Sequence, residues 1–270
     1  MRQKTIRRWG WVGGVLAAGA VLAFLVLTPP TLLRKIDYIG AGVCHRQAAH
    51  SFFIAGRQTP LCQRCTGTFT GALLGLTLQW GLLRRRRAWR FPPHWVWGFM
   101  ALFFLLWGLD GFNSFTTLGQ ATRGWLGYAP QPWLRLLSGT LMGLSMSLLL
   151  VPAFNLTIWG DGLPEQTIES GGELTLLVAG GLLQTALLYS RAGWLLYPVA
   201  VYSAAGVLGM FLLLGMMVWV MAVGLDQSYT RWRQLWLPAC WGTVFAALIL
   251  GGMVLLRLLL MGTIDGVPGL

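Results

Sequence analysis

The segment from position 44 to position 65 contains three of the four cysteines and two of the three histidines of the chain. Cys62 and Cys65 are separated by two residues, a spacing at which two thiols can close a disulfide or bind one metal ion. Cys65 is predicted to lie in the first turn of a helix, where the helix dipole favours the thiolate over the thiol. Arg64 lies between the two cysteines and adds positive charge. The segment therefore predicts chemistry that depends on thiolates.

Three interpretations of these thiols remain open, and a metal site is the favoured one. Three thiolates and one imidazole complete the tetrahedral shell that zinc prefers, whereas a disulfide framework leaves one of three cysteines over. The four candidate ligands are Cys44, His45, Cys62 and Cys65.

The second interpretation is a membrane thiol–disulfide oxidoreductase. In it, Cys62 and Cys65 cycle between dithiol and disulfide beside Arg64, Cys44 attacks or resolves that pair, and a quinone lies between the helices. It is favoured by an oxidising compartment, in which paired thiols tend to oxidise. The third interpretation is a plain disulfide that fastens the segment, with Cys44 buried and inert.

Two further ionisable residues are candidates for binding a cofactor or substrate. Asp110 lies near the end of one predicted span and Arg135 at the start of the next, on the same predicted side as the thiols. Ionisable side chains at membrane depth are costly and tend to mark functional sites. The alternative is an ion pair between Asp110 and Arg135 that only joins two helices.

The composition excludes a soluble domain. The chain has 270 residues, of which 56% are hydrophobic and 10% are charged, whereas soluble domains carry about 25% charged residues. The net charge of +12 does not indicate nucleic-acid binding, because the basic residues cluster at the ends of apolar segments. This pattern is typical of helices oriented in a bilayer, so the lipid bilayer is the expected partner.

The apolar segments predict an all-α, polytopic membrane helix bundle with about seven transmembrane helices. The predicted spans are residues 9–28, 66–83, 95–112, 134–153, 174–190, 194–223 and 237–260. Basic residues are concentrated at 2–8, 84–90 and 231–233. By the positive-inside rule, the N-terminus is then cytoplasmic and the C-terminus lies outside.

We expect residues 1–270 to form a single integral membrane domain. Residues 29–65 are predicted to be an outer loop with the cysteines and histidines, residues 66–153 the core spans, and residues 174–260 three further spans. Glycines recur every four residues within the second span, so that another helix can approach its backbone closely. They are Gly67, Gly71 and Gly75.

At the cysteine segment the chain resembles a family of uncharacterised prokaryotic membrane proteins, the domain of unknown function 2085. The matching motifs are Cys44-His45, Ser51-Phe52-Phe53, Gly56 and Pro60-Leu61-Cys62-x-Arg64-Cys65-Thr66-Gly67. The resemblance covers roughly residues 35–150 and implies a location in a prokaryotic plasma membrane, but it brings no activity. It favours His45 over His50 as a ligand, because His45 belongs to a matching dipeptide.

Other features allow different functions. The chain is also similar, more weakly, to membrane thiol oxidases that use quinones, but it lacks their second outer cysteine pair. Polar Gln79 and Gln184 within predicted spans suit a transporter, an assembly subunit or a helix–helix oligomer. Cys240 and His94, at predicted inner helix ends, are expected to serve in packing or anchoring.

Overall fold

The computed structural model describes residues 2–117 and 123–266, with side chains from Trp9 onward. Within these ranges the chain is a bundle of helices with four short strands. The helices are α1 (Arg2–Leu27), α2 (Leu32–Ala41), α3 (Gln63–Thr77), α4 (His94–Phe115), α5 (Pro132–Ile158), α6 (Gly171–Tyr189), α7 (Leu196–Ala222) and α8 (Trp236–Met261). The strands are β1 (Ser51–Ile54), β2 (Arg57–Cys62), β3 (Ala88–Arg90) and β4 (Leu163–Gln166). The predicted all-α membrane bundle is confirmed.

Six of the helices, counted over the described residues, are long and apolar enough to cross a membrane: α1, α4, α5, α6, α7 and α8. The prediction was seven, and the difference is the predicted span 66–83. There the α-helix α3 ends at Thr77 after 15 residues and continues as a π-helical turn over Leu78–Leu82. The first turns of α3 are rich in polar and small residues, and most of these residues are buried. Helix α3 therefore packs among other helices of the bundle. The orientation of the termini stays a prediction.

The interface between α3 and α5 is made by glycines from both helices. A Cβ atom at Gly71 would lie 2.5 Å from the carbonyl oxygen of Thr140, and one at Gly67 would meet the carbonyl oxygen of Leu136. From the other side, a Cβ at Gly143 would meet the backbone of Thr68. The predicted glycine face is therefore confirmed, and it brings the two backbones into direct contact.

The predicted loop 29–65 is more structured than expected. It contains the short helix α2 and the antiparallel hairpin β1–β2, which pairs Ser51 with Cys62. The two residues between the strands, Ala55 and Gly56, both have positive φ, as a type I′ turn requires. The hairpin thus returns the chain to the position where Cys62 precedes α3.

At the opposite end of the bundle, the arginine run after α3 is paired with the acidic residues that follow α5. Arg85 forms ion pairs with Glu169 at 2.9 Å and Glu173 at 2.8 Å, and Arg87 pairs with Asp161. Strands β3 and β4 join the same two segments. The acidic segment, to which the sequence assigned no role, therefore offsets the charge of the arginine run.

Candidate metal centre

Three potential ligand atoms meet between α2, the hairpin and α3. The donor atoms of Cys44, His45 and Cys62 all lie within 4.8 Å of one another. The Cys44 Sγ atom is 3.8 Å from Nδ1 of His45. Cys65 is outside this group of three residues, but its thiol is close enough to interact with the thiols of Cys44 and Cys62. A group of this kind could hold a metal ion.

Local backbone geometry aims amide groups at two of the sulfur atoms. Cys44 follows α2, and its Sγ accepts the backbone N–H groups of Arg46 at 3.4 Å and Cys62 at 3.2 Å. Cys62 is the N-cap of α3, and its Sγ accepts the backbone N–H of Cys65 at 3.5 Å. Because N–H donors favour a charged acceptor, both sulfur atoms lie where a thiolate is stabilised.

The thiols do not share this stabilisation equally. The pKa of Cys44 lies well below its ordinary value, because its sulfur accepts hydrogen bonds from the thiols of Cys62 and Cys65 and from the Cys62 backbone. The hydrogen bond to Cys44 raises the pKa of Cys62 to about 12. The first negative charge in the cluster therefore belongs on Cys44. A second and third thiolate would need a cation among them.

His45 is exposed and contacts a second histidine. Its Nε2 atom lies 3.3 Å from Nδ1 of His50, and the two rings meet edge to face. Burial, with Arg135 nearby, lowers the pKa of His50 to about 4, so His50 is neutral near pH 7. A neutral His50 can accept the Nε2 proton of His45 at Nδ1. That tautomer leaves the lone pair of His45 Nδ1 directed toward Cys44.

The candidate cofactor residues lie next to the thiols but do not pair with each other. Asp110 forms an ion pair with Arg64 and accepts the hydroxyl of Tyr128 at 3.2 Å. Arg135 instead donates from Nε to Ser114 at 3.2 Å and from Nη1 to Gln63 at 3.5 Å. The alternative in which Asp110 and Arg135 join two helices as an ion pair is therefore wrong. The ion-pair partner of Asp110 is Arg64, which lies between the two cysteines of the CxxC motif.

Arg257, near the end of α8, holds the backbone of the Cys44–His45 dipeptide. Its Nη1 donates to the carbonyl oxygen of Cys44 and its Nη2 to that of His45, both at 2.6 Å. Arg257 has no carboxylate partner among the described residues. This contact was not predicted from the sequence, although a lone arginine in the last apolar helix is the kind of intramembrane charge that tends to mark a functional site.

A buried ion network fixes the turn that follows the dipeptide. The Arg46 side chain is 2% exposed and its Nη1 donates to Asp37 at 3.0 Å and to the Pro60 carbonyl at 2.7 Å. Asp37, 3% exposed, also accepts from Arg57 at 2.9 Å. Asp265, beyond α8, accepts from Arg46 at 3.1 Å. Arg46 has a φ of 54°, so these contacts hold it in a conformation that non-glycine residues seldom adopt.

The two remaining candidates lie away from the cluster. Cys240 lies in α8 and lines a groove against α1, and His94 is the first residue of α4. All four cysteines carry free thiols.

Comparison with known proteins concerns the same part of the chain. Residues 44–149 match the family described as predicted membrane protein (DUF2085). A relative, the uncharacterised protein MJ1492 of Methanocaldococcus jannaschii, is 23% identical over 112 residues, which are 42% of this chain and 64% of the relative. The match thus spans less than two thirds of the relative's length. No solved structure matches the chain. Residues 44–149, with the thiol cluster and the helices α3, α4 and most of α5, match the DUF2085 family of predicted membrane proteins.

Proposed function

We propose that Cys44, His45, Cys62 and Cys65 bind one metal ion, most simply zinc. The observation that carries this proposal is the convergence of Cys44, His45 and Cys62 within 4.8 Å, with the Cys65 thiol beside the other two. Thiolate and imidazole ligands favour zinc over the hard cations that prefer oxygen. With four protein ligands the site is closed, which is typical of structural zinc.

The charges around the cluster support this proposal. Three thiolates with one divalent ion carry a net charge of −1. Arg257 holds the carbonyl groups of the ligand dipeptide, and Arg135 interacts electrostatically with Cys62. Neither guanidinium forms a direct ion pair with a carboxylate among the described residues. Asp110 and Asp265 interact with these guanidiniums only at longer range, and an anionic metal–thiolate centre would add a nearer counter-charge.

The histidine pair supports His45 as the fourth ligand. Metal-binding histidines usually donate their second ring N–H to a neighbouring acceptor, which fixes the tautomer and the ring plane. His50 is that acceptor at 3.3 Å. His50 is then a positioning residue, and His45 is the ligand.

The metal would join the segment 29–65 to the helix bundle. Cys44 follows α2 and the other two cysteines begin α3, so one ion would tie together elements that the sequence separates. We propose that the chain is a multi-pass protein of the prokaryotic plasma membrane, with this segment on the outer face and residues 1–270 forming one domain. Asp110 and Arg135 would then flank the centre from α4 and α5.

One observation favours a second function, a membrane thiol–disulfide oxidoreductase. The pKa of the Cys44 thiol is low, which makes it a ready nucleophile beside Cys62 and Cys65. In this reaction, Cys62 and Cys65 would lose two electrons and two protons and form a disulfide. A quinone in the membrane would accept them and become the quinol.

Counting thiols separates the two functions. Protein purified in air is denatured in the presence of a chelator and N-ethylmaleimide, without reductant, so that every free thiol is labelled. The number of labelled cysteines is then read from the mass of the intact protein by mass spectrometry. A metal site protects its thiols from oxidation, so we expect all four cysteines of the chain to be labelled. A matched sample reduced before labelling gives the maximum count. Labelling of two cysteines, with a peptide that links Cys62 to Cys65, would contradict the metal proposal and leave the oxidoreductase or a plain disulfide.

A further inference from the structure

A large apolar groove separates α1 from α7 and α8. Its volume is about 960 Å³, and its walls are almost entirely aliphatic and aromatic side chains, among them Phe24, Leu212 and Leu255. Few residues of helix α1 are buried against the rest of the protein, since only 17% of its apolar segment is buried. The first half of α1 contacts α8, where Gly13 lies against the indole ring of Trp241. The groove opens beyond that contact, toward the end of α1.

We expect the groove to be neither filled with water nor empty. The walls offer almost no hydrogen-bond partners, so water would lose its own hydrogen bonds there. An empty groove of this size would forfeit the dispersion contacts of its whole lining. The groove lies between helices that are long and apolar enough to span a membrane. Hydrocarbon chains of lipids are the species that surround such helices.

Polar groups are found at one end of the groove. Lys35 of α2 donates to the Leu25 carbonyl at 2.6 Å, to the Thr28 carbonyl at 3.2 Å and to the Thr28 hydroxyl at 2.9 Å, and both Leu25 and Thr28 line the groove. Lys35 has no carboxylate partner among the described residues. Tyr38 lies three residues further on the same helix, lines the groove and makes no hydrogen bond to the described chain. Residues at this spacing share one helix face.

We propose that the groove binds one anionic phospholipid. The phosphate lies near the Lys35 ammonium and the Tyr38 hydroxyl, and the acyl chains fill the space between α1, α7 and α8. The ammonium attracts the phosphate, which selects an anionic headgroup over a zwitterionic one. This site does not depend on the proposed metal. Its wall contains Ile39 and Leu250, which belong to the same hydrophobic cluster as Cys44.

Neighbouring glycines of α8 provide a matched pair of variants. Gly251 lines the groove, whereas Gly252 does not, and a Cβ atom at either position would meet no atom within 4 Å. Gly251→Leu therefore adds a side chain to the groove from a position with room for its Cβ atom, and Gly252→Leu adds the same side chain outside it. Gly209→Leu fills the groove from α7, also from an open position. It replaces Gly251→Leu if that variant fails to fold.

The test is the melting temperature of detergent-purified protein titrated with phosphatidylglycerol or phosphatidylcholine. We expect phosphatidylglycerol to raise the Tm of the wild type and of Gly252→Leu saturably, by about 5 °C. Gly251→Leu should lose this response. In Lys35→Gln, phosphatidylglycerol and phosphatidylcholine should shift the Tm by equal amounts. This comparison is made within the variant, so it does not depend on the Tm of the variant without lipid.

Several results would overturn the proposal. One is an equal response of the wild type to both lipids, which would indicate unselective annular lipid. Another is an undiminished response in Gly251→Leu or Gly209→Leu. A larger shift with a quinone than with phosphatidylglycerol would assign the groove to the quinone. A dimer that persists after delipidation and separates in Gly251→Leu would assign it to a second copy of the chain.

Discussion

Asp37→Asn is expected to lower the free energy of unfolding by about 3–5 kcal/mol, because it leaves a buried guanidinium without its main counter-charge. Asp37 and Arg46 are 3% and 2% exposed and lie 3.0 Å apart. Arg46 cannot reach water when the carboxylate charge is removed, and Arg57 loses the same partner. The change should be measured by denaturant unfolding in detergent micelles, followed by tryptophan fluorescence.

The matched control for this variant is Asp265→Asn. Asp265 also accepts from Arg46, at 3.1 Å, but it is 48% exposed, so its ion pair is screened by solvent. We expect this control to lose less than about 1 kcal/mol. Equal effects of the two substitutions, or a stability of Asp37→Asn close to wild type, would contradict the role assigned to the buried pair.

Gly143→Ala should destabilise the bundle at a contact between the backbones of α3 and α5. The added Cβ atom would meet the Thr68 carbonyl oxygen and lie 2.6 Å from the Ala72 backbone nitrogen. Both contacts are with the backbone of α3, which cannot move aside as a flexible side chain can. Overpacking of this kind costs about 1–3 kcal/mol, a loss of roughly 3–10 °C in Tm for a chain of this size. Differential scanning fluorimetry of the purified variant measures it.

Gly108→Ala in α4 is the control for this substitution. A Cβ atom at Gly108 would meet nothing within 4 Å, and alanine is the better helix former. Its Tm should equal or slightly exceed that of the wild type. If Gly143→Ala were as stable as Gly108→Ala, α3 and α5 would not be packed backbone to backbone.

The helices could be predicted from the sequence because their signals are local. Long uncharged runs fixed α4, α5 and α8 to within a few residues, and the every-fourth-residue glycines indicated which face of α3 another helix approaches. The convergence of Cys44 with Cys62 follows from the hairpin turn at Ala55-Gly56. That turn lacks the usual Asn-Gly or Asp-Gly pair, so the sequence suggested a loop instead.

The supporting residues could not be predicted because they are distant in sequence. Arg257 reaches Cys44 across more than two hundred positions, and Asp265 reaches Arg46 in the same way. The alternative that paired Asp110 with Arg135 is wrong for a related reason. Arg64 and Arg135 begin adjacent helices at the same end of the bundle, and only the packing of α3 against α5 decides which of them reaches the carboxylate.

The metal content of purified protein tests the central claim most directly. We expect about one zinc per chain in the wild type and almost none in Cys62→Ser, because a hydroxyl is a poor replacement for a thiolate ligand. Cys240→Ser makes the same chemical change away from the cluster and should keep the zinc. A wild type without metal, or a Cys62→Ser variant that retains it, would contradict the metal centre.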